Sequence, residues 1–363
     1  MLFLLVFLSS TLYLYATRNL KSLSFFKQFI VWIPTFLAFY IPMAFQKDVG
    51  TDYYSYISIY SNAVERYLYA EKGEYLFLWI IDFAKIFNHY QFVFIIFSLI
   101  ISLSFFYSLF VLKNKYDYKA WLIFFIYFSA TGIYNTSFNT LRQSIIISLL
   151  PFLIHLFVKK RHLIFLLCIL ALSFLHKSVL LYLSFYLVAL IPNNKKIVFF
   201  AFVFSTLLYT INFGSIINIL ANNPLIGLIF GNYSYYVDSS FFDAGPTLSI
   251  VTKLYYLPLF ILFWLIYVKE KNINLYFDFT IKLWAVTCFM IIQMMHIGIF
   301  YRFWNMFAFL YVFPIYYVVD YYIKKRDALF VFLLILYIII PYIIKVLILP
   351  SAEYLYNFNN LIF

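Results

Sequence analysis

The side chains able to do chemistry in this sequence are few and scattered. The first group is Lys47, Asp48, Gly50 and Asp52, closing at Glu74. Gly50 permits a tight turn or a close backbone approach just before Asp52. Asp52, with Asp48 as the alternative, suits orienting or deprotonating a sugar hydroxyl. The plainer role is a solvated loop acid. Arg142, followed by Gln143, opens an apolar run. A guanidinium there adds to the positive end of a helix dipole, so it does not serve helix stability. It suits an anion, and a diphosphate fits a membrane interface best. The bland role is an arginine snorkelling to lipid phosphate. Arg302 sits similarly between two apolar runs. His176 and Lys177 end a short apolar run, where a base or phosphate contact competes with a structural hydrogen bond. Tyr235, Asp238 and Asp243 lie in a tyrosine-rich loop, where sugar stacking and hydrogen bonding compete with the plainer role of ordinary loop residues. His155 and His296 have no such company.

No metal-ligand spacing and no glycine-rich phosphate loop is present, so neither metal nor cofactor is expected. Cys168 and Cys288 each lie inside an apolar run and suggest no disulfide.

The elements that must position these residues are membrane helices. The chain is 66% hydrophobic and 11% charged, which excludes an ordinary soluble domain. Apolar runs of about 15–22 residues recur throughout, so the fold class is all-α, a polytopic transmembrane helical bundle. The first run, from Leu2 to Tyr15, reads as a span and not as a signal peptide. Many of the 36 tyrosines and 48 phenylalanines cluster at run ends, as interfacial belts do. They could also line a path for a long isoprenoid tail. The net charge of +12 is confined to short clusters between runs, which marks topology and not nucleic-acid binding.

Taking Lys and Arg clusters as cytoplasmic gives about 12 crossings with both ends outside. The drafted spans are 2–17, 29–45, 91–112, 119–135, 142–158, 162–175, 178–192, 197–213, 249–268, 279–299, 303–323 and 327–348. Segment 75–88 is short and carries Asp82, Lys85 and then His89 as one polar stripe, so it reads as an interfacial or re-entrant outer helix. The chain reads as one integral membrane domain, 1–363, with outer loops at about 46–74 and 214–248. Every candidate residue above then falls on the outer side.

The order Val49-Gly50-Thr51-Asp52-Tyr53 with Tyr56 and Glu74, then Leu141-Arg142-Gln143, Phe174-Leu175-His176-Lys177-Ser178 and Tyr301-Arg302 resembles the EpsG-type branch of Wzy-like polysaccharide polymerases. The resemblance covers about residues 1–345. It implies a GT-C-like glycosyltransferase in the bacterial inner membrane, facing outward. Such enzymes join undecaprenyl-diphosphate-linked oligosaccharide repeat units for O-antigen, capsule or exopolysaccharide, in company with a chain-length regulator and a flippase. Gly50, Asp52, Arg142, Gln143, His176 and Arg302 fall on the family's polar positions. Lys47 stands where the family often has an arginine, and a lysine cannot make the bidentate fork. The family's acid is Glu71 or Glu74, with helix register to Lys85 favouring Glu74. The expected chemistry is inverting and metal-independent. Arg142 and Arg302 would hold the diphosphate, and Asp52 or His176 would activate the acceptor hydroxyl. A carrier-dependent glycan ligase and a lipid-linked oligosaccharide flippase are the competing readings. A flippase should show inverted repeats and midplane polar groups, and neither is evident.

Overall fold

A computed structural model describes residues 1–20, 24–208, 254–270, 274–293, 300–350 and 352–356. Tyr235, Asp238, Asp243, His296 and the loop 214–248 lie outside them. Among the described residues the structure is helical, with no strand. In chain order the first helices are α1 (Leu2–Ala16), α2 (Phe25–Ala44), α3 (Tyr53–Ser61), α4 (Ala63–Glu71), α5 (Tyr75–Lys85) and α6 (Gln91–Tyr116). Then come α7 (Ala120–Ser129), α8 (Ile133–Thr136), α9 (Leu141–Val158) and α10 (His162–Ser173). A 3-10 helix, Lys177–Ser184, and α11 (Phe185–Ala189) occupy the stretch drafted as the span 178–192. They are followed by α12 (Lys195–Leu207), α13 (Leu257–Tyr267), α14 (Leu275–Gln293), α15 (Phe300–Phe307), α16 (Val312–Lys324) and α17 (Ala328–Ile343).

Among the described residues, five stretches are long and apolar enough to cross a membrane: Phe25–Ala44, Gln91–Tyr116, Leu141–Val158, Tyr301–Lys324 and Ala328–Ile348. The protein is a helical membrane protein. Helix α5, at about 17 Å, is too short to cross a bilayer. Its Asp82 is paired with Arg66 of α4, and Lys85 lies over the Tyr60 ring of α3.

The chain forms two compact units, one of Met1–Tyr182 with Val319–Phe363 and one of Leu183–Val318. In the first, α6 packs against α2 and α9, and α1 against α2 and α7. Aromatic side chains fill that core. Phe39 stacks on Phe105 with planes 2° apart and centroids at 5.0 Å, and Tyr134 stacks on Phe128 at 4.2 Å. Much of the aromatic excess therefore joins helices to each other. Pro42 and Pro151 interrupt α2 and α9. In each case a hydroxyl from another helix bonds the carbonyl three residues earlier. Tyr134 donates to Phe39 O at 3.1 Å and Ser108 to Ser148 O at 2.6 Å. Neighbouring side chains thus stabilise the loosened backbone that proline creates. In the second unit α14 packs against α12, α11 and α15.

Helix ends of like charge pattern meet. Lys113 of α6 donates to Gln28 of α2 at 2.8 Å, Tyr116 meets His155 at 2.7 Å, and Lys119 pairs with Asp320 at 2.6 Å. In the second unit Lys195 bonds the carbonyls of Tyr267 and Glu270. All these contacts join segments flanking lysine and arginine clusters. The opposite end of α9 and the turn after α10 meet elsewhere, at Glu74.

Candidate functional site

Glu74 is placed by the way α4 ends. Gly73 takes φ +68°, the Glu74 amide bonds Tyr69 O at 3.0 Å, and the Gly73 amide bonds Ala70 O at 2.9 Å. These are the paired bonds of a Schellman ending, which need a left-handed residue at that point. Glu74 then stands at the head of α5. The free amides of the first turn of α5 are met by one carbonyl, Phe174 O, which accepts from Leu76 at 3.0 Å and Phe77 at 3.4 Å. Phe174 follows α10, so this contact carries His176 to Glu74.

The Glu74 carboxylate is shared. One oxygen pairs with Arg142 Nη1, and the other meets His176 Nδ1 at 2.9 Å. Glu74 itself is 2% exposed. With the carboxylate ionised, Nδ1 carries a proton and donates to it. The Nε2 lone pair then accepts from Gln143 Nε2, at 2.9 Å. Burial opposes ionisation of Glu74. The His176 hydrogen bond, the Arg142 charge and the Lys177 amide outweigh it, and hold the carboxyl below its ordinary range. The Arg142 guanidinium lies 4.7 Å from the Tyr69 ring centroid and 4.6 Å from that of Phe77. It therefore gains ring contacts as well as its ion pair. Its Nε is buried without a hydrogen-bond partner. Burial pushes the Tyr56 phenol up to about 12, with the Arg142 charge pulling it down and the Asp52 charge raising it. Tyr56 thus senses both this cluster and a second one.

The second cluster holds the opening turn. Gly50 has φ +78°, and a Cβ there would lie 1.9 Å from Asn139 Oδ1. The same oxygen accepts from the Asp52 amide at 3.3 Å. Asn139 Nδ2 donates to Glu353 Oε2 at 3.2 Å. Burial raises the Glu353 carboxyl above its ordinary range, against its own amide and Lys345 and reinforced by Asp52. Asp52 itself is half-buried at the head of α3, and Thr51 Oγ1 lies 3.4 Å from its Oδ1.

The structure therefore brings Glu74, Arg142, Gln143 and His176 into direct contact, with the Lys177 amide beside them. Lys177 Nζ sits over the Phe174 ring at 5.5 Å and would be 3.2 Å from a Cβ at position 73. Gly50 and Asp52 form a neighbouring wall through Asn139. Of the two acids left open, Glu74 is the buried one, whereas Glu71 is exposed and bonds the Tyr67 hydroxyl. Lys47 is exposed, three residues before Gly50. Arg302 is exposed on α15 in the second unit.

The EpsG family model matches residues 29–360. The chain belongs to the EpsG family. This is a family of Wzy-like polysaccharide polymerase-type proteins. No curated protein and no solved structure matches the chain. In this EpsG-family chain, sequence reasoning did not single out Tyr69, Phe77, Asn139 or Glu353 as site residues. Asn139 stands three residues before Arg142, in the turn that leads into α9, which was the available signal. The tail bearing Glu353 was assigned to the same side as loop 46–74, but nothing local tied it to Asp52.

Proposed function

We propose that this protein polymerises polysaccharide repeat units carried on a polyprenyl diphosphate, as an inverting, metal-independent glycosyltransferase. The observation that carries the reading is the buried Glu74 carboxylate shared by Arg142 and His176, within a family of polysaccharide polymerase-type proteins. A buried charge cluster drawn from three separate segments is costly, and such clusters concentrate at functional sites.

His176 is the base. Glu74 fixes its Nδ1–H tautomer and stabilises the imidazolium that forms, the division of labour found in carboxylate–histidine pairs. The acceptor sugar hydroxyl takes the place of Gln143 at Nε2. It loses its proton there as its oxygen attacks the anomeric carbon of the donor. The bond from that carbon to the diphosphate oxygen breaks, and the electron pair leaves with the diphosphate. Arg142, held beside this pair by Glu74, supplies the positive charge that stabilises the departing diphosphate. Arg302 is the second cation in this scheme. Asp52 orients the acceptor, with Gly50 shaping the turn that carries it. Lys47, Lys177, Tyr235 and Asp238 contact sugar or phosphate.

About 12 crossings, a GT-C-like arrangement and an outward-facing site in a bacterial inner membrane complete the proposal. Its support is that segments assigned to one side by charge are the ones that touch each other within each unit. Partners on this reading are lipid-linked oligosaccharides, a chain-length regulator and a flippase. The test is the glycan of a deletion strain. Single repeat units on the final acceptor support the polymerase. Glycan stranded on the carrier would make it a ligase, and inward-facing lipid-linked units a flippase.

A further inference from the structure

Residues 352–356 return to the turn that carries Asp52. The Glu353 carbonyl accepts from Asn135 Nδ2 at 3.4 Å, and its Oε2 accepts from Asn139 Nδ2 at 3.2 Å. The Tyr356 hydroxyl donates to Pro42 O at 3.1 Å, and its ring meets Phe3 edge-on at 5.6 Å. The Tyr354 hydroxyl lies 2.6 Å from the Cβ position of Gly132. The segment is therefore fastened to α2, α8 and the turn before α9.

Asn139 has a donor side and an acceptor side, and its surroundings decide which way each faces. Glu353 Oε2 accepts from Nδ2 and so holds the amide in this orientation. Oδ1 is then left to face the Asp52 amide, at 3.3 Å. A flipped amide would put a donor against that N–H and an oxygen against Glu353. Both contacts would become repulsive. The absence of a side chain at Gly50 leaves the space that Oδ1 occupies.

We propose that Glu353 is a positioning residue for the polymerase site. By fixing the orientation of Asn139, it holds the Gly50–Asp52 turn against the start of α9, where Arg142 lies. Residues 352–356 are thus a wall of the site. This inference rests on the polymerase reading.

The test measures elongation of lipid-linked repeat units by purified full-length protein in liposomes. Turnover is taken per folded molecule, with melting temperature followed in parallel. Glu353→Ala and Asn139→Asp should each lower turnover about tenfold, the scale of one hydrogen bond to a charged group. Asn139→Asp combined with Glu353→Gln reverses the polarity of that bond, since the new amide donates to the new carboxylate. It keeps an acceptor for the Asp52 amide, and should recover most of the turnover. A merely structural link would move the melting temperature and leave turnover per folded molecule unchanged, which would overturn the inference. A double variant as slow as Asn139→Asp alone would also overturn it. If wild type elongates, Arg142→Ala does not, and Glu353→Ala matches wild type, this inference falls and the polymerase reading stands. If wild type itself does not elongate, the polymerase reading falls and takes this one with it.

Discussion

At the residue scale the buried polar cluster centres on Glu74. Its carboxylate balances Arg142 and orients His176, so removing its charge strands a buried guanidinium. Glu74→Gln should cost about 3–5 kcal/mol, as breaking one side of a buried ion pair does. It should also abolish long polymer, read as thermal unfolding in detergent and as glycan chain length on a gel. Arg142→Lys should fail nearly as badly as Arg142→Ala. An ammonium cannot both reach the carboxylate and lie as a plane against Tyr69 and Phe77. The pH dependence has a definite sign. Glu74 is held below its ordinary value of 4.5 in the folded state, so its contribution is complete above that value. The contribution is lost as pH falls through the lower folded value. Melting temperature should therefore carry no Glu74 term between about pH 8 and pH 5, and an acid-side drop that Glu74→Gln lacks. An equal acid-side drop in the variant would refute the linkage.

At the element scale the site depends on two backbone devices. The left-handed ending of α4 sets where Glu74 starts, and the Phe174 carbonyl ties α5 to the turn after α10. Gly73→Ala should destabilise the fold by about 1–2 kcal/mol, because a Cβ in that conformation meets its own backbone. The same Cβ also crowds Lys177. Amide exchange of α5 and of residues 174–177 should rise together in this variant. Exchange confined to α4 would separate the two devices. The Arg66–Asp82 pair is of another kind. Asp82 is 52% exposed at its side chain, so the pair contributes at most about 1 kcal/mol. Asp82→Asn should leave polymer length unchanged, and shortened chains in that variant would place α5's outer face in the site. That face carries Trp79 and Phe83, which suits contact with lipid.

At the scale of the whole molecule, sidedness is the property to test. Lys47 and Lys160 are both exposed. In a background lacking Cys168 and Cys288, Lys47→Cys should react with an impermeant maleimide added outside intact spheroplasts. Lys160→Cys should react only after lysis. The opposite pattern would turn the site toward the cytoplasm and exclude the outward-facing scheme.

Much of this was legible in the linear chain. A composition of 66% hydrophobic residues with charges confined to clusters forces membrane helices, because unpaired backbone is not tolerated in hydrocarbon. The order of Gly50, Asp52, Arg142-Gln143 and His176-Lys177 points to the family, and the family match bears that out. Helix register to Lys85 favoured Glu74 over Glu71, but local rules could not show that Glu74 is buried. Both flank the end of α4, and only the packing of α5 against the turn after α10 buries one and leaves the other in water. Nor could they join Asp52 to Glu353 through Asn139. Contacts so distant along the chain have no local periodicity, and are decided only when helix ends meet. The sequence by itself determined the environment, the helices and the polar residues available. The tertiary structure decided which carboxylate sits at the centre, because only folding sets which charges are removed from water together.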